Sequence, residues 1–231
     1  MAENINNLLL DSLSPTSREA VLSKCKPINL PLRTMLHEQG EVPAYAYFLT
    51  SGVASVVVVM AEGGSAEVGL IGCEGLVGAV YLLGPSPAPA QCFIQMDATA
   101  MRIRMDDLQT LFHNSEEIRR RILEFVQAQN VTLEQIAACN KLHEAEERLA
   151  RWLLMARDRE GTATMPMTQE FLALMLGTRR TTMTLVAGEL QRKGMIEYTR
   201  GKVTILSREK LEAASCECYG ITKRALESLY R

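Results

Sequence analysis

Residues 168–194 read TQEFLALMLGTRRTTMTLVAGELQRKG. Thr168 is a plausible N-cap, with Phe171, Leu172 and Met175 apolar behind it. Gly177 ends that helix in a conformation that suits glycine, and Thr178 can cap the next one. Met183, Val186, Ala187 and Leu190 then form an apolar stripe that stops at Gly194. Ala173 lies four residues before Gly177, where two steeply crossing helices leave no room for a larger side chain. Leu172, Leu176, Met183 and Val186 fill the angle between them. A small residue, a turn glycine and four apolar residues at these offsets together specify a helix-turn-helix.

The second helix begins with Arg179, Arg180 and Thr181, and Thr184 follows one turn later. Such a helix sets its N-terminal side chains against base edges in the major groove. Arg can bond guanine through two parallel hydrogen bonds, and Thr can donate, accept or touch a thymine methyl. Arg180 is the principal candidate for base contact, with Thr181 and Thr184 in support. Thr168 and Gln169, at the start of the first helix, suit phosphate contacts that fix register. Met195 to Tyr198 and Val203 to Leu206 read as strands around Thr199-Arg200-Gly201-Lys202, a wing whose cations Arg200 and Lys202 join Arg179 as phosphate or groove-edge candidates.

The whole chain has 231 residues and a formal charge of −2, which does not by itself advertise a polyanion partner. The distribution does. Residues 165–210 carry eight basic and four acidic residues, so this span is +4 and the remainder −6. Apolar content of 47% and charged content of 23% are those of an ordinary globular protein. The N-terminal MAENINNLLLDSL lacks the basic start and long apolar run of a signal peptide, and no run is long enough to span a bilayer. A cytoplasmic location with reduced cysteines and no membrane association is expected.

Upstream, residues 4–24 read as short helical structure, with Pro15 suited to a first helical turn. Residues 27–98 hold most of the Gly and Pro and several β-branched runs. Tyr45 to Leu49, a turn at Thr50-Ser51-Gly52, and Val53 to Met60 read as strand, turn, strand. Ala66 to Ile71, Gln91 to Met96 and Ala98 to Arg104 add further strands, the last two separated near Asp97. This spacing indicates a sandwich or barrel. Residues 106–159 are helical, broken only at Asn114-Ser115. Ile118, Ile122, Phe125, Gln129, Thr132, Ile136 and Cys139 alternate steps of four and three, the spacing of a helix–helix seam, so a dimer through this long helix is expected. His143 to Arg157 is a second helix, Gly161 to Pro166 a linker, and Ala213 to Tyr230 additional helix beyond the wing.

A β-rich N-terminal domain, a long helix and a C-terminal winged helix together resemble the cyclic-AMP receptor protein and fumarate–nitrate regulator family. The best matches are Gly40, Gly52 before Val53 to Val59, the Gly-rich stretch before Tyr81, and the helix-turn-helix with Arg180. The resemblance implies an α+β chain: a β-roll sensor domain of the cyclic-nucleotide-binding kind, a double-stranded β-helix, over residues 1–105, a dimerisation helix over 106–141, and a winged helix-turn-helix over 142–231. It implies a bacterial homodimeric transcription regulator, not an enzyme, with double-stranded DNA, RNA polymerase and a small-molecule effector as partners. Family members often carry Arg, Glu and a second Arg in the recognition helix. Here Arg180 remains, and Thr181 and Leu185 take the other two places.

The sensor cassette departs further. The family pattern has Gly-Glu, whose carboxylate grips a ribose hydroxyl, and Arg-Ser or Arg-Thr, which holds a cyclic phosphate. In this chain Gly78 is followed by Ala79, Ala88-Pro89 fills the second place, and residues 69–95 contain no Lys or Arg. Ordinary cyclic-AMP binding is therefore not expected, no cofactor is assigned, and the effector is unidentified. Gly72, Glu74, Gly75, Gly78, Thr132 and Leu133 are the candidate pocket residues, and Pro85, Pro87 and Pro89 suggest a stiff loop beside them. Cys216 and Cys218 form a candidate thiol switch. No Cys/His spacing matches a zinc site, so no metal is expected. His37, His113 and His143 read as surface or local hydrogen-bonding residues. Two other functions compete: a winged helix that contacts only proteins, and a thiol-redox-responsive regulator.

Overall fold

The computed structural model describes residues 5–84 and 86–231. The start of the expected N-terminal helical region at Asn4, and Pro85 of the expected stiff loop, lie outside them. Helices α1 (Leu8–Asp11) and α2 (Pro15–Leu22) open the chain, with Pro15 at the first turn of α2 and Ser14 capping it. Six antiparallel strands follow: β1 (Lys26–Leu30), β2 (Met35–His37), β3 (Tyr45–Val59), β4 (Ser65–Ile71), β5 (Leu76–Val77) and β6 (Gln91–Arg104). Their main order is β1-β6-β3-β4, with β2 also on β6 and β5 also on β3.

The spine of this roll differs from the sequence reading. Thr50-Ser51-Gly52 is not a turn between two strands, and Asp97 does not separate two others. Both lie inside single long strands that pair with each other, and the register slips between Leu49 and Ser51 and again on either side of Val53. A bulge carries the same local signal as a turn, a glycine amid polar residues, but it bends the strand without ending it. Gly52 has φ +75°, and a Cβ there would fall 2.6 Å from the Asp97 carbonyl oxygen, so only glycine fits the bend.

Helix α3 (Met105–Asn114) meets α4 (Glu116–Leu142) at Ser115, which caps α4. The expected break and the long helix are both present. The expected seam is not free, however. Ile118, Ile122, Phe125, Thr132, Ile136 and Cys139 are all buried within their own chain. The first three join the roll's core, whereas Cys139 packs with Cys216 and Cys218. An offset stripe, Leu123, Val126, Asn130, Leu133 and Ala137, repeats at the same spacing and faces outward, Val126 being half-buried.

The C-terminal half contains α5 (Ala145–Glu160), β7 (Thr164–Pro166), α6 (Gln169–Met175), α7 (Arg180–Arg192), β8 (Ile196–Thr199), β9 (Lys202–Ile205), α8 (Arg208–Ala214) and α9 (Cys218–Leu229). The segment expected to be only a linker contributes β7, which pairs with β9 through Met165 opposite Val203. The expected C-terminal helix is two helices, because the chain turns at Ser215–Glu217 and α9 runs back along α4. Leu172, Leu176, Met183, Ala187 and Leu190 are buried where α6 crosses α7. Each contributes on the order of 1.5–3 kcal/mol if its full side chain is removed from water, less for Ala187.

The two halves share one core. Val53, Val57, Leu70 and Met96 of the roll pack with Leu149, Trp152 and Leu153 of α5 and with the helix-turn-helix. At its centre Glu67 of β4 is 5% exposed. It accepts hydrogen bonds from Trp152 Nε1 at 2.6 Å and Ser55 Oγ at 2.7 Å. Ser55 Oγ also lies 2.8 Å from Gln95 Oε1. Burial pushes the Glu67 carboxyl up from 4.5 to about 7, despite those bonds and the nearby Arg151 and Arg159. A raised folded-state value means that Glu67 supports the fold as a neutral acid. That support is complete below about 4.5 and is lost as pH rises through about 7. Glu67→Gln keeps an acceptor for Trp152 and a donor for Ser55. Thermal unfolding of this variant should lose the wild-type decline in Tm across that window. An unchanged decline would show that another group causes it.

Candidate nucleic-acid interface and effector pocket

Thr168 caps α6 as expected, its hydroxyl accepting the Phe171 amide at 3.1 Å. Gly177 has φ +57° and forms the turn. A Cβ there would sit 3.3 Å from Ala66 Cβ, so the turn of the helix-turn-helix rests on β4 of the roll. Helix α7 starts later than the sequence suggests. Its N-cap is Arg179, not Thr178, whose hydroxyl bonds the Arg179 carbonyl instead. Arg180 and Thr181 therefore occupy the first turn, and Thr184 lies directly above Arg180, bonding its carbonyl at 3.0 Å. Thr184 also donates to Gln169 Oε1 at 2.7 Å, which joins the two helices on their outer face. Arg179, Arg180, Thr181 and Thr184 are all exposed.

The wing is a two-residue hairpin between β8 and β9. Arg200 at φ +49° and Gly201 at φ +76° supply the two left-handed residues that such a turn needs. The Met167 amide donates to Gly201 O at 2.7 Å, fixing the wing beside the start of α6. Among the described residues the eight basic side chains of residues 165–210 fall into two sets. Arg192, Lys193 and Arg208 are ion-paired, Lys193 with Glu146 at 2.6 Å and Arg208 with Asp158 at 2.6 Å. Arg179, Arg180, Arg200, Lys202 and Lys210 enter none of the ion pairs. Of these five, Arg179 and Arg180 lie at the start of α7, Arg200 and Lys202 on the wing, and Lys210 on α8.

A cavity of about 380 Å³ opens between the roll and α4. Of the six candidate residues, Glu74, Gly78, Thr132 and Leu133 line it. Gly72 and Gly75 do not; they are sites of close approach. A Cβ on Gly75 would fall 2.0 Å from the Phe125 ring of α4, and one on Gly72 would fall 3.0 Å from Arg159 Cβ. The walls are mostly apolar, with Val56, Val58, Val68, Leu70 and Val77 from the strands and Leu226 from α9. Sequence reasoning missed Arg159, which reaches the cavity from α5, 85 residues from Glu74 along the chain. Its Nε donates to Glu74 Oε1 at 2.7 Å, and Glu74 Oε2 accepts the Gly72 amide at 3.0 Å. The side chains are only 7% and 11% exposed, so the one cation in the walls is neutralised in place.

His37, expected to be a surface or local hydrogen-bonding residue, is buried in the same wall with Tyr81 Oη 3.4 Å from its Nε2. Burial lowers its pKa below the usual histidine value. His113 is exposed, with Nδ1 2.7 Å from the Gln109 carbonyl oxygen. Cys216 and Cys218 are buried, not exposed thiols, and lie against Cys139 and His143.

The cyclic nucleotide-binding domain family matches residues 27–115, and the Crp-like helix-turn-helix domain family matches residues 147–214. Comparison with curated proteins gives no significant match. Among solved structures, a regulator described as of the crp/fnr family from Eubacterium rectale is 17% identical, with TM-score 0.71, covering 89% of this chain and 96% of its own. FixK2 from Bradyrhizobium japonicum is 15% identical, with TM-score 0.71 and coverage of 83% and 98%. The c-di-GMP responsive regulator CLP of Xanthomonas campestris is 18% identical, with TM-score 0.69 and coverage of 84% and 100%. At these identities the likeness is one of fold. No helix of the described residues is long and apolar enough to cross a membrane. With the sensor and reader domains matched in the same order along most of the chain, the protein belongs to the CRP/FNR family of transcription regulators and not to an enzyme family.

Proposed function

We propose that this chain is a homodimeric, sequence-specific DNA-binding regulator whose roll takes an apolar effector instead of cyclic AMP. One observation carries the DNA reading: four of the five cations in residues 165–210 that lack an acidic partner, Arg179, Arg180, Arg200 and Lys202, are exposed at the start of α7 and on the wing. Arg180 is assigned to base contact, with Thr181 and Thr184 beside it. Arg179, Thr168, Gln169, Arg200 and Lys202 are assigned to phosphates. Dimerisation is assigned to the outward stripe of Leu123, Val126, Asn130, Leu133 and Ala137. Val126, Asn130 and Leu133 also line the cavity, so an occupant would touch the surface offered to the second copy. That contact supplies a route by which a ligand shifts the balance between two arrangements of the reader domains.

The two kinds of cation give separable outcomes. Arg180→Ala should cost roughly 1–3 kcal/mol of discrimination between a specific site and random duplex. An unchanged ratio would remove Arg180 from base reading. Lys202→Ala should weaken all duplexes alike and reduce the slope of log affinity against log salt by about one. Lys193→Ala, already paired with Glu146, should leave that slope unchanged. Equal slopes for the two lysine variants would contradict the assignment of the wing. A winged helix that contacts only proteins would show no salt-dependent affinity for DNA at all.

The effector reading rests on the neutralised Arg159 and the apolar walls. Calorimetric titration with cyclic AMP should give no saturable heat. A neutral apolar dye should bind saturably, and Val68→Glu, which places a carboxylate in the wall, should weaken it. Saturable cyclic-AMP binding would contradict this reading.

A further inference from the structure

Three cysteines and a histidine, distant in sequence, meet at the junction of α4 and α5. Cys139 lies in the last turn of α4 and His143 is its C-cap. Cys216 lies in the turn after α8, and Cys218 opens α9. The three Sγ atoms and one ring nitrogen all lie within 4.8 Å of one another. Cys139 Sγ is 3.5 Å from Cys216 Sγ, and Cys218 Sγ is 3.6 Å from His143 Nδ1. A tetrahedron with zinc–sulfur bonds of about 2.3 Å and zinc–nitrogen bonds of about 2.0–2.1 Å has edges of roughly 3.8 Å between sulfurs and roughly 3.6 Å from sulfur to nitrogen. The observed separations are close to those edges. A polynuclear iron–sulfur cluster would spread its ligands wider, since they sit on different irons.

Two features surround this group as they would a metal centre. The Glu217 carboxylate lies 3.3 Å from His143 Nε2 and directs the other ring nitrogen, Nδ1, toward the thiols. A carboxylate behind a ligating imidazole is the usual outer-shell partner of such a ligand. The second feature is charge. Arg151 of α5 is 2% exposed, its Nε has no hydrogen-bond partner, and its Nη1 reaches only Met155 Sδ at 3.4 Å. Among the described residues it has no ion pair. Its guanidinium acts on Cys139 and Cys218. Arg148, one turn earlier, also has an unpartnered Nε and acts on Cys139 and Cys216. Buried guanidinium without a counter-charge is costly. Three thiolates, a neutral imidazole and a divalent zinc ion sum to one negative charge, and this supplies it.

We propose that Cys139, His143, Cys216 and Cys218 bind one zinc ion in a closed structural site that clamps α9 to the α4–α5 junction. Local spacing hides it, because Cys139 and Cys216 are 77 residues apart. The clamp holds one end of a helix whose other end meets the sensor. Arg121 Nη2 donates to Leu229 O at 3.1 Å, Tyr230 Oη donates to Glu74 O, and Leu226 lines the cavity. Zinc therefore fixes the strap that closes one side of the pocket, at the point where sensor helix and reader join.

The test is elemental analysis of the full-length chain purified without added metal or chelator. One zinc per chain is expected, retained in Cys25→Ser and Cys73→Ser and lost in Cys218→Ser and His143→Ala. Because a ligand variant could lose metal by misfolding, wild-type protein is also stripped with a chelator and titrated with cobalt. The expected spectrum has thiolate-to-cobalt charge transfer and the intense visible bands of tetrahedral coordination, abolished by equimolar zinc. Stoichiometric iron in the purified chain would overturn the assignment to zinc. A pale octahedral cobalt spectrum, or a native chain carrying a Cys139–Cys216 disulfide and no metal, would overturn the site.

Discussion

The hydrogen bond from Trp152 Nε1 to Glu67, at 2.6 Å, is the contact on which the relation between the two halves depends. It crosses from the first helix of the reader to β4, the end strand of the main sheet order, in a place that excludes water. A buried carboxyl is tolerable only when its oxygens are occupied, and here Trp152 and Ser55 occupy both. A second link, Arg159 to Glu74, lies two turns further along the same face of α5. Together they make α5 a shared wall. Its apolar residues complete the reader core, and its polar ones close the sensor. A shift of α5 away from the roll would have to break both links.

This wall also underlies the proposed preference of the pocket for an apolar ligand over a cyclic phosphate. A ligand phosphate needs a cation with spare hydrogen-bonding capacity. The roll strands place none in the cavity lining, and Arg159 is ion-paired with Glu74. The cavity is bounded by valines and leucines, by His37 and Tyr81, and by α4. The same helix offers Leu123, Val126, Asn130, Leu133 and Ala137 on its outer side. Sensor, strap and the proposed dimerisation stripe therefore meet along one helix, and the helix ends at His143, where the reader begins.

Much of the architecture was legible in the sequence. The helix-turn-helix followed from six positions whose residue types must agree, and the structure buries Leu172, Ala173, Leu176 and Met183 as that pattern requires. The break at Ser115 and the wing around Arg200-Gly201 were legible for the same reason: each has a local physical cause. What was not legible depended on distance or on ambiguity. Gly52 reads alike for a turn and a bulge, and only pairing with β6 decides. Helix α4 carries two stripes of the same period; the one with larger apolar residues was read as the seam, yet size marks burial as readily as association. Arg159 in the pocket and the gathering of Cys139, His143, Cys216 and Cys218 had no local signal, because each needs segments brought together by the completed fold.

The central claim is that the free cations of α7 and the wing read DNA as a symmetric pair. Selection of binding sites from random duplex DNA by the purified full-length chain tests it most directly. The account predicts enrichment of an inverted repeat whose half-sites lie about one helical turn, roughly 10–10.5 base pairs, apart. Absence of any enriched site, together with affinity for bulk duplex that does not fall as salt is raised, would contradict it.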